Sequence, residues 1–214
     1  MFGFLKRLFG HPTDPSRARP DDQGYHATQF VQHHADTQLY VHWAERAPDL
    51  KAATYDPALG VLALVRLLGA DPSLASLGAE QLALLGGYLD YVQLDAGKQV
   101  IGQDEQGDFM MVVLQGTLAE TRLQPSGARI RLSEGRSGDL LGEFSVLDGE
   151  PRVSTWTAAT PVTLAVISTP ALERMVQEEP RLAAALLIWL GKAVSRRLRQ
   201  AKARLGAQLT RAAD

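Results

Sequence analysis

The sequence contains no cysteine, and all five of its histidines lie within the first 42 residues. Without cysteine the chain has no disulfide, no thiolate metal site and no cysteine nucleophile, which fits a cytoplasmic protein. A serine nucleophile needs a neighbouring base, and no histidine follows residue 42. No apolar run approaches the ~18 to 20 residues that span a bilayer, and the N-terminus lacks a secretory signal. We therefore expect a cytoplasmic protein that is not an enzyme.

The histidines do not form a metal-binding pattern. His34 and His42 lie two turns apart on any helix, and no two histidines are spaced at i, i+4. A zinc site needs ligands at helical spacing with carboxylates to orient them. We expect surface histidines and no metal. The remaining three are His11, His26 and His33.

Charge is unevenly distributed, although the net charge is only −2. Residues 1–20 sum to +3 and residues 191–214 to +6, which leaves −11 on the rest of the chain. Basic ends on an acidic body indicate surfaces for anions or acidic partners, and a solvated helix face has the same appearance.

The first 24 residues read as a flexible N-terminus. Residues 1–9 place Phe2, Leu5 and Leu8 near one helical face and Lys6 and Arg7 on the other. Such a segment either contacts a membrane surface weakly, docks on a partner protein, or stays a disordered tail. Residues 10–24, rich in Pro, Asp and Arg, read as a linker.

Helical patterns precede and follow a region of short strands. Residues 25–70 show two helical patterns, one holding Leu39, Tyr40, Trp43 and Ala44 and one over 57–68. Residues 78–87 predict another short helix. Glycine-rich turns then separate short apolar segments, which indicates a sandwich or barrel. The predicted strands are 91–94, 109–114, 117–123, 128–132, 155–159 and 162–167.

Two helices end the chain. Thr169-Pro170 is a helix start signal, and a long helix runs from Glu179-Pro180 to about Arg204. One of its faces carries an apolar stripe, which either packs on its own domain or pairs with a second copy. We expect a homodimer through this helix. The stripe is Leu186, Leu190, Val194, Leu198, Ala201 and Leu205.

Residues 138–157 have the composition of a phosphate-binding cassette. Gly142-Glu143 opens a short apolar turn, and Pro151-Arg152 follows a tight Asp-Gly bend. The amides of a first helical turn attract a phosphate, and an arginine adds charge and a two-pronged donor. The cassette therefore predicts a protein that senses a small nucleotide.

The order of helices, strands with this cassette, and a long helix resembles the cyclic-nucleotide-binding domain of catabolite-activator-type regulators, kinase regulatory subunits and gated channels. Further similar motifs are 96–101, 105–108, 114–116 and 137–139. The resemblance implies an α+β, mainly β fold: an antiparallel β-barrel or jelly roll with N-terminal helices and a long C-terminal helix. The predicted units are 1–24, a helical extension over 25–70, the nucleotide-binding domain over 71–206, and a tail over 207–214.

By resemblance, Glu143 holds the ribose 2′-hydroxyl and Arg152 pairs with the cyclic phosphate. The alternative to ligand binding is that Glu143 and Arg152 pair directly with each other, in a family member that no longer binds a ligand. Arg197 matches a helix arginine that can reach back toward Glu143 or the phosphate, and the alternative is that it faces solvent. The complete set of predicted ligand-binding residues is Leu141, Gly142, Glu143, Phe144, Arg152, Val153, Ser154 and Arg197.

Several departures from the family pattern affect the choice of base. Val153 lacks the hydroxyl that is often linked to a preference for guanine in this family. Its absence favours cyclic AMP weakly. Gly135 stands where relatives carry a bulky aliphatic residue of the base pocket. Ala201 and Lys202 stand where one branch reads adenine with hydroxyls. The base stays open, and a cyclic dinucleotide is not excluded.

After the long helix only 206–214 remain, where the family's transcription factors carry a winged helix-turn-helix. Sequence-specific DNA binding is therefore not expected, and the output passes to an unknown effector protein. The alternative is a scaffold that keeps the fold but binds no ligand and acts by protein or membrane-surface contacts.

Overall fold

The computed structural model describes residues 40–69, 71, 74 and 77–213. Six helices occur in this part of the chain: α1 Trp43–Asp49, α2 Pro57–Gly69, α3 Ala79–Gly86, α4 Glu143–Asp148, α5 Thr169–Glu178 and α6 Pro180–Ala213. The strands are β1 Tyr40–Val41, β2 Ala53–Thr54, β3 Asp90–Leu94, β4 Gln99–Ile101, β5 Gln106–Gly107, β6 Phe109–Gln115, β7 Thr117–Leu123, β8 Arg129–Arg136, β9 Leu140–Leu141, β10 Thr155–Ala158 and β11 Val162–Ser168.

The strands form two antiparallel sheets and one short parallel pair. One sheet has the order β2-β3-β11-β6-β9 and the other the order β4-β10-β7-β8, while β1 pairs with β5. This is the predicted α+β jelly roll, and that prediction is confirmed. Of the two predicted forms, β-barrel or jelly roll, the structure has the jelly roll, because the two sheets are not closed into a barrel. Edge strands β2, β4 and β9 are two or three residues long, so they offer few hydrogen bonds for closure.

Strand β6 lies between β11 and β9 in the five-stranded sheet and is buried on both faces. Its side chains alternate, as a pleated strand requires. Phe109, Met111 and Val113 enter the core between the sheets. Met110 and Val112 enter a second core, which helices cover. The cassette between β9 and β10 begins next to this strand, because β9 pairs with β6. The packing of β6 on both faces therefore holds the start of the cassette in place.

The helices pack on the outer face of this sheet. Leu64 of α2, Leu82 of α3, Leu172 of α5 and Leu190 of α6 belong to the same buried cluster. The helices predicted over 57–68 and 78–87 are confirmed as α2 and α3. At the start of α5 the Ser168 hydroxyl accepts a hydrogen bond from the amide of Ala171, which caps the helix.

Some element boundaries differ from the prediction. Tyr40 lies in β1 and not in a helix, because its backbone pairs with Gln106. Strand β8 extends to Arg136, beyond the predicted end at residue 132, since its whole length pairs with β7. Strands β1, β2, β5 and β9 have two residues each, which is too short for a periodic pattern.

The long helix α6 extends beyond its predicted end at about Arg204 and continues to Ala213. Its second half is largely exposed. Leu186 and Leu190 of the predicted stripe are buried, whereas Leu198 and Leu205 are each 55% exposed. Val194 is half-buried and Ala201 is exposed. No helix among residues 40–69 and 77–213 is long and apolar enough to cross a membrane.

Several predictions concern residues outside the described part. The apolar, basic segment 1–9, the linker over 10–24 and the histidines His11, His26, His33 and His34 all lie there. The proposed unit boundaries remain predictions.

Candidate functional site

The site forms where β9 turns into α4. Gly142 precedes the helix with φ +77°, a left-handed conformation that favours glycine. A Cβ at this position would lie 2.6 Å from the Arg152 guanidinium and 2.9 Å from Ile101 Cδ1. Both the backbone and the available space therefore require glycine here, because Arg152 packs directly against the chain.

Arg152 is a buried cation held by backbone carbonyl groups. It is 3% exposed, and it donates to the carbonyl oxygens of Gly142 and of Phe109, the latter at 2.5 Å. Its guanidinium carbon lies 4.9 Å from the centre of the Phe109 ring. Its Nε is buried and has no hydrogen-bond partner within residues 40–69 and 77–213. An arginine in this state retains one donor and a full charge for an anion.

Burial lowers the pKa of Arg152 to about 10, and the charges of Glu105, Glu143 and Asp108 oppose that shift, Glu105 most strongly. Arg152 therefore stays protonated at neutral pH. Three nearby carboxylates balance its charge in the absence of a ligand.

Glu143 is the second buried charge of the site, 1% exposed. Its Oε1 accepts from Arg197 of α6, and its Oε2 has no hydrogen-bond partner in the part of the chain that the structure describes. Burial raises the pKa of Glu143, while Arg197 acts in the opposite direction. Glu143 thus has an acceptor left for a hydroxyl or amide donor.

Arg197 ties the long helix to the site. It contacts the Glu143 carboxylate and also donates to the carbonyl oxygen of Leu140. In the structure Arg197 reaches Glu143, and the two side chains form an ion pair. Glu143 thus pairs with Arg197 and not directly with Arg152.

The other predicted residues lie around these charges in different environments. Leu141 is fully buried in the core between the sheets. Phe144 is 39% exposed and Val153 is 52% exposed. Ser154 is buried, and its hydroxyl donates to Glu120 Oε1 at 2.6 Å. The Ser154 side chain is therefore already engaged within the protein.

Other side chains at the site were not predicted from the sequence. Glu120 accepts hydroxyl hydrogen bonds from both Ser133 and Ser154. The alternation of β7 places Glu120 on the same face as buried Leu118, and this signal was available. Glu105 and Asp108 act on Arg152 electrostatically. They lie in the 105–108 turn, and the sequence gives no sign that the carboxylates of this turn lie near Arg152.

Gly135 makes room for an aromatic ring. A Cβ there would lie 3.0 Å from the Trp156 ring and 3.2 Å from Leu141 Cδ2. The indole thus occupies the space that an aliphatic side chain would take, which gives a physical reason for glycine at this position.

Within the described residues, no group of three or more His, Asp or Glu side chains could hold a metal ion. His42 instead lies 2.7 Å from Asp108 through its Nδ1.

Comparisons with known proteins agree on one kind of domain. Residues 91–179 match the model of the cyclic nucleotide-binding domain. The CRP-like cAMP-activated global transcriptional regulator of Mycobacterium tuberculosis is 29% identical over 119 residues, which are 56% of this chain and 51% of that relative. The chain therefore spans about half the length of this curated relative.

Two solved structures have the same architecture. A cyclic nucleotide-binding domain from Methylobacillus flagellatus aligns with a TM-score of 0.70 at 22% identity and covers 82% of this chain and 97% of that one. This identity supports the fold alone. The N-terminal domain of a transcriptional regulator from Streptomyces coelicolor is 32% identical with a TM-score of 0.53, over 65% of this chain and 94% of its own.

Proposed function

Because the chain belongs to the cyclic nucleotide-binding domain family, we propose that it is a regulatory protein that binds a cyclic nucleotide between Arg152 and Glu143. The observation that carries the proposal is a pair of buried, unpartnered polar atoms, Arg152 Nε and Glu143 Oε2. Leaving such atoms unbonded costs about 1–3 kcal/mol each. A ligand with an anionic group and a hydroxyl would satisfy both.

Arg152 Nε and Glu143 Oε2 would bind different groups of the ligand. Arg152 Nε is a charged donor, which suits a singly charged cyclic phosphate. Glu143 Oε2 is an acceptor, which suits a ribose 2′-hydroxyl. Helix α4 starts without a side-chain cap on its first amides. The amides around Gly142, Glu143 and Phe144 would add donors to the phosphate, and Leu141, Val153 and Ser154 would line the rest of the site.

Signalling would pass through α6. A ribose hydroxyl on Glu143 Oε2 would give the carboxylate a second donor beside Arg197, which contacts Oε1, and would thereby weaken the contact that holds α6 to the site. A ligand shifts an equilibrium only when it binds one state better, and the sharing of this carboxylate between the ligand and Arg197 would supply such a difference. We propose that the resulting change in α6 is what an effector protein recognises.

We propose cyclic AMP as the preferred ligand. The Mycobacterium tuberculosis relative is named as cAMP-activated, and Val153 supplies no hydroxyl for the amino group of guanine. The proposed protein performs no catalysis, has no resident cofactor or metal, and acts in the cytoplasm. Sequence-specific DNA recognition is not part of the proposal.

A ligand-free scaffold is the second candidate. The observation that favours it is that Glu143 and Arg152 are already held by Arg197 and by two backbone carbonyl groups. In that case the site would be a structural network and the exposed surfaces would carry the function.

Isothermal titration calorimetry separates the two candidates. We expect cyclic AMP to bind wild-type protein in the micromolar range and Arg152→Ala to lose at least about tenfold in affinity, the equivalent of one charge-assisted hydrogen bond. Arg181→Ala, which removes an exposed arginine outside the site, is the matched control and should bind like wild type. Equal affinity in all three proteins, or binding in none, would contradict the proposal.

A further inference from the structure

A segment that precedes the matched domain contacts the turn that supports Arg152. This segment, residues 40–50, is called the arm. Its strand β1 pairs in parallel with β5, with Tyr40 opposite Gln106 and Val41 opposite Gly107. At the next residues the His42 ring and the Trp43 amide both bond to the Asp108 carboxylate. The arm is therefore fixed to the turn by backbone and side chains together.

Arg46 of the arm forms a buried ion pair with Glu105. The two side chains are 15% and 8% exposed, so this pair is shielded from water far more than an ordinary surface salt bridge. Each partner nevertheless keeps one buried atom unbonded, Nε of Arg46 and Oε1 of Glu105. The Glu105 carboxylate thus has an acceptor that no group among the described residues uses.

The same turn holds Arg152 on its other side. The Arg152 amide donates to the Glu105 carbonyl oxygen at 2.8 Å, and the Asp104 amide donates to the Arg152 carbonyl oxygen at 2.9 Å. A Cβ on Gly107 would lie 2.6 Å from the Arg152 guanidinium. Glu105 is therefore a backbone neighbour of Arg152 while its side chain is directed to the arm.

From this arrangement we infer that Arg46 is a positioning residue for the nucleotide site: it holds the Glu105 carboxylate on the arm and thereby leaves Arg152 free for an anion. A buried carboxylate that loses its cation needs another one. Arg152 is such a cation: its backbone is bonded to that of Glu105, the charge of Glu105 already acts on it, and its Nε has no hydrogen-bond partner among the described residues. Without Arg46, Glu105 occupies Arg152 and competes with the ligand phosphate. Docking of the arm thus controls affinity at the site.

The inference rests on the proposed function and is tested by a double-mutant series with cyclic AMP as the calorimetric probe. Arg46→Ala is expected to weaken binding about tenfold, since one carboxylate now competes for Arg152. Arg46→Ala/Glu105→Gln should recover most of that loss, because the amide carries no charge. Arg66→Ala, an exposed arginine on α2, is the control and should bind like wild type.

The Glu105→Gln single variant tests the idea with Arg46 intact. It should bind at least as tightly as wild type, because it removes a negative charge beside Arg152. Wild-type affinity in Arg46→Ala, no recovery in the double variant, or weaker binding by Glu105→Gln would overturn the inference. Absence of binding by the wild type would instead overturn the proposed function, so the two failures are distinguishable.

Discussion

At the scale of single residues, the site consists of two buried charges that do not pair with each other. Arg152 bonds to carbonyl oxygens of Gly142 and Phe109, and Glu143 bonds to Arg197. A direct pair would have neutralised both charges and closed the site to ligands. The separate partners leave Arg152 Nε and Glu143 Oε2 without a hydrogen-bond partner among the described residues, and the proposed ligand would use both atoms.

Glu143 gives a prediction about pH and stability. Its pKa is raised in the folded protein above the ordinary value of 4.5, chiefly by burial. The stability contributed by protonated Glu143 is therefore complete below pH 4.5 and is lost as the pH rises through the folded-state pKa. Glu143→Gln has no such dependence. The free energy of unfolding of wild type, relative to this variant, should fall as the pH rises above 4.5.

Urea denaturation of both proteins across that pH range measures the difference, and Glu150→Gln, at an exposed position, is the control. A difference that stays constant or rises with pH would contradict the raised pKa of Glu143.

The chemical character of the site could be read from the sequence, while its internal connections could not. The Gly-Glu and Pro-Arg pairs of residues 142–143 and 151–152 identify the cassette, because few other patterns combine a glycine turn with these two charges. The contact of Glu105 with Arg46 joins residues 59 positions apart. Such pairing depends on how the arm and the β5 turn pack, which no local pattern encodes.

At the scale of elements, α6 is both a core helix and a contact of the site. Its first half contributes Leu182, Leu186 and Leu190 to the buried cluster, and Arg197 then reaches Glu143 and the Leu140 carbonyl group. The apolar period predicted the helix, but of the six residues in the predicted stripe only Leu186 and Leu190 are buried. Its end was underestimated because Gly206 resembles a helix stop signal, whereas the helix continues to Ala213.

Hydrogen exchange of α6 should respond to the ligand. If a ribose hydroxyl on Glu143 Oε2 weakens the contact of Arg197 with Oε1, amides over 181–205 should exchange at altered rates when cyclic AMP is added, because the contact that anchors α6 at the site has changed. Arg152→Ala at the same nucleotide concentration is the control and should show no change. Identical exchange with and without ligand in wild type would exclude α6 as the signalling element.

The short strands show why the sheet edges escaped prediction. Strands β1, β2, β5 and β9 have two residues each, and period-two patterns need about four residues to be recognised. Long strands such as β6 and β11 were predicted well, because their apolar runs are bounded by glycine or proline turns.

At the scale of the whole molecule, the second half of α6 presents an exposed apolar side. Leu198 and Leu205 lie one heptad apart and are exposed, the spacing of a two-helix seam. We propose that this side meets the same helix of a second copy. The basic residues of 191–214 then flank the seam.

Light scattering should give a mass of twice 23.2 kDa for the wild type. Leu198→Glu/Leu205→Glu should give the monomer mass, since it places like charges in the seam. Gln200→Glu introduces the same charge at another exposed position of α6 and should stay dimeric. A monomeric wild type would contradict the proposed dimer while leaving the ligand site unaffected.

The central question is whether the wild-type protein binds a cyclic nucleotide. A calorimetric titration with cyclic AMP, followed by cyclic GMP and cyclic di-GMP, measures this binding directly. We expect saturable micromolar binding of cyclic AMP at one site per chain and weaker binding of the two guanine nucleotides. No heat of binding from any of the three would contradict it and would leave the Arg152 and Glu143 network as a structural feature of a scaffold.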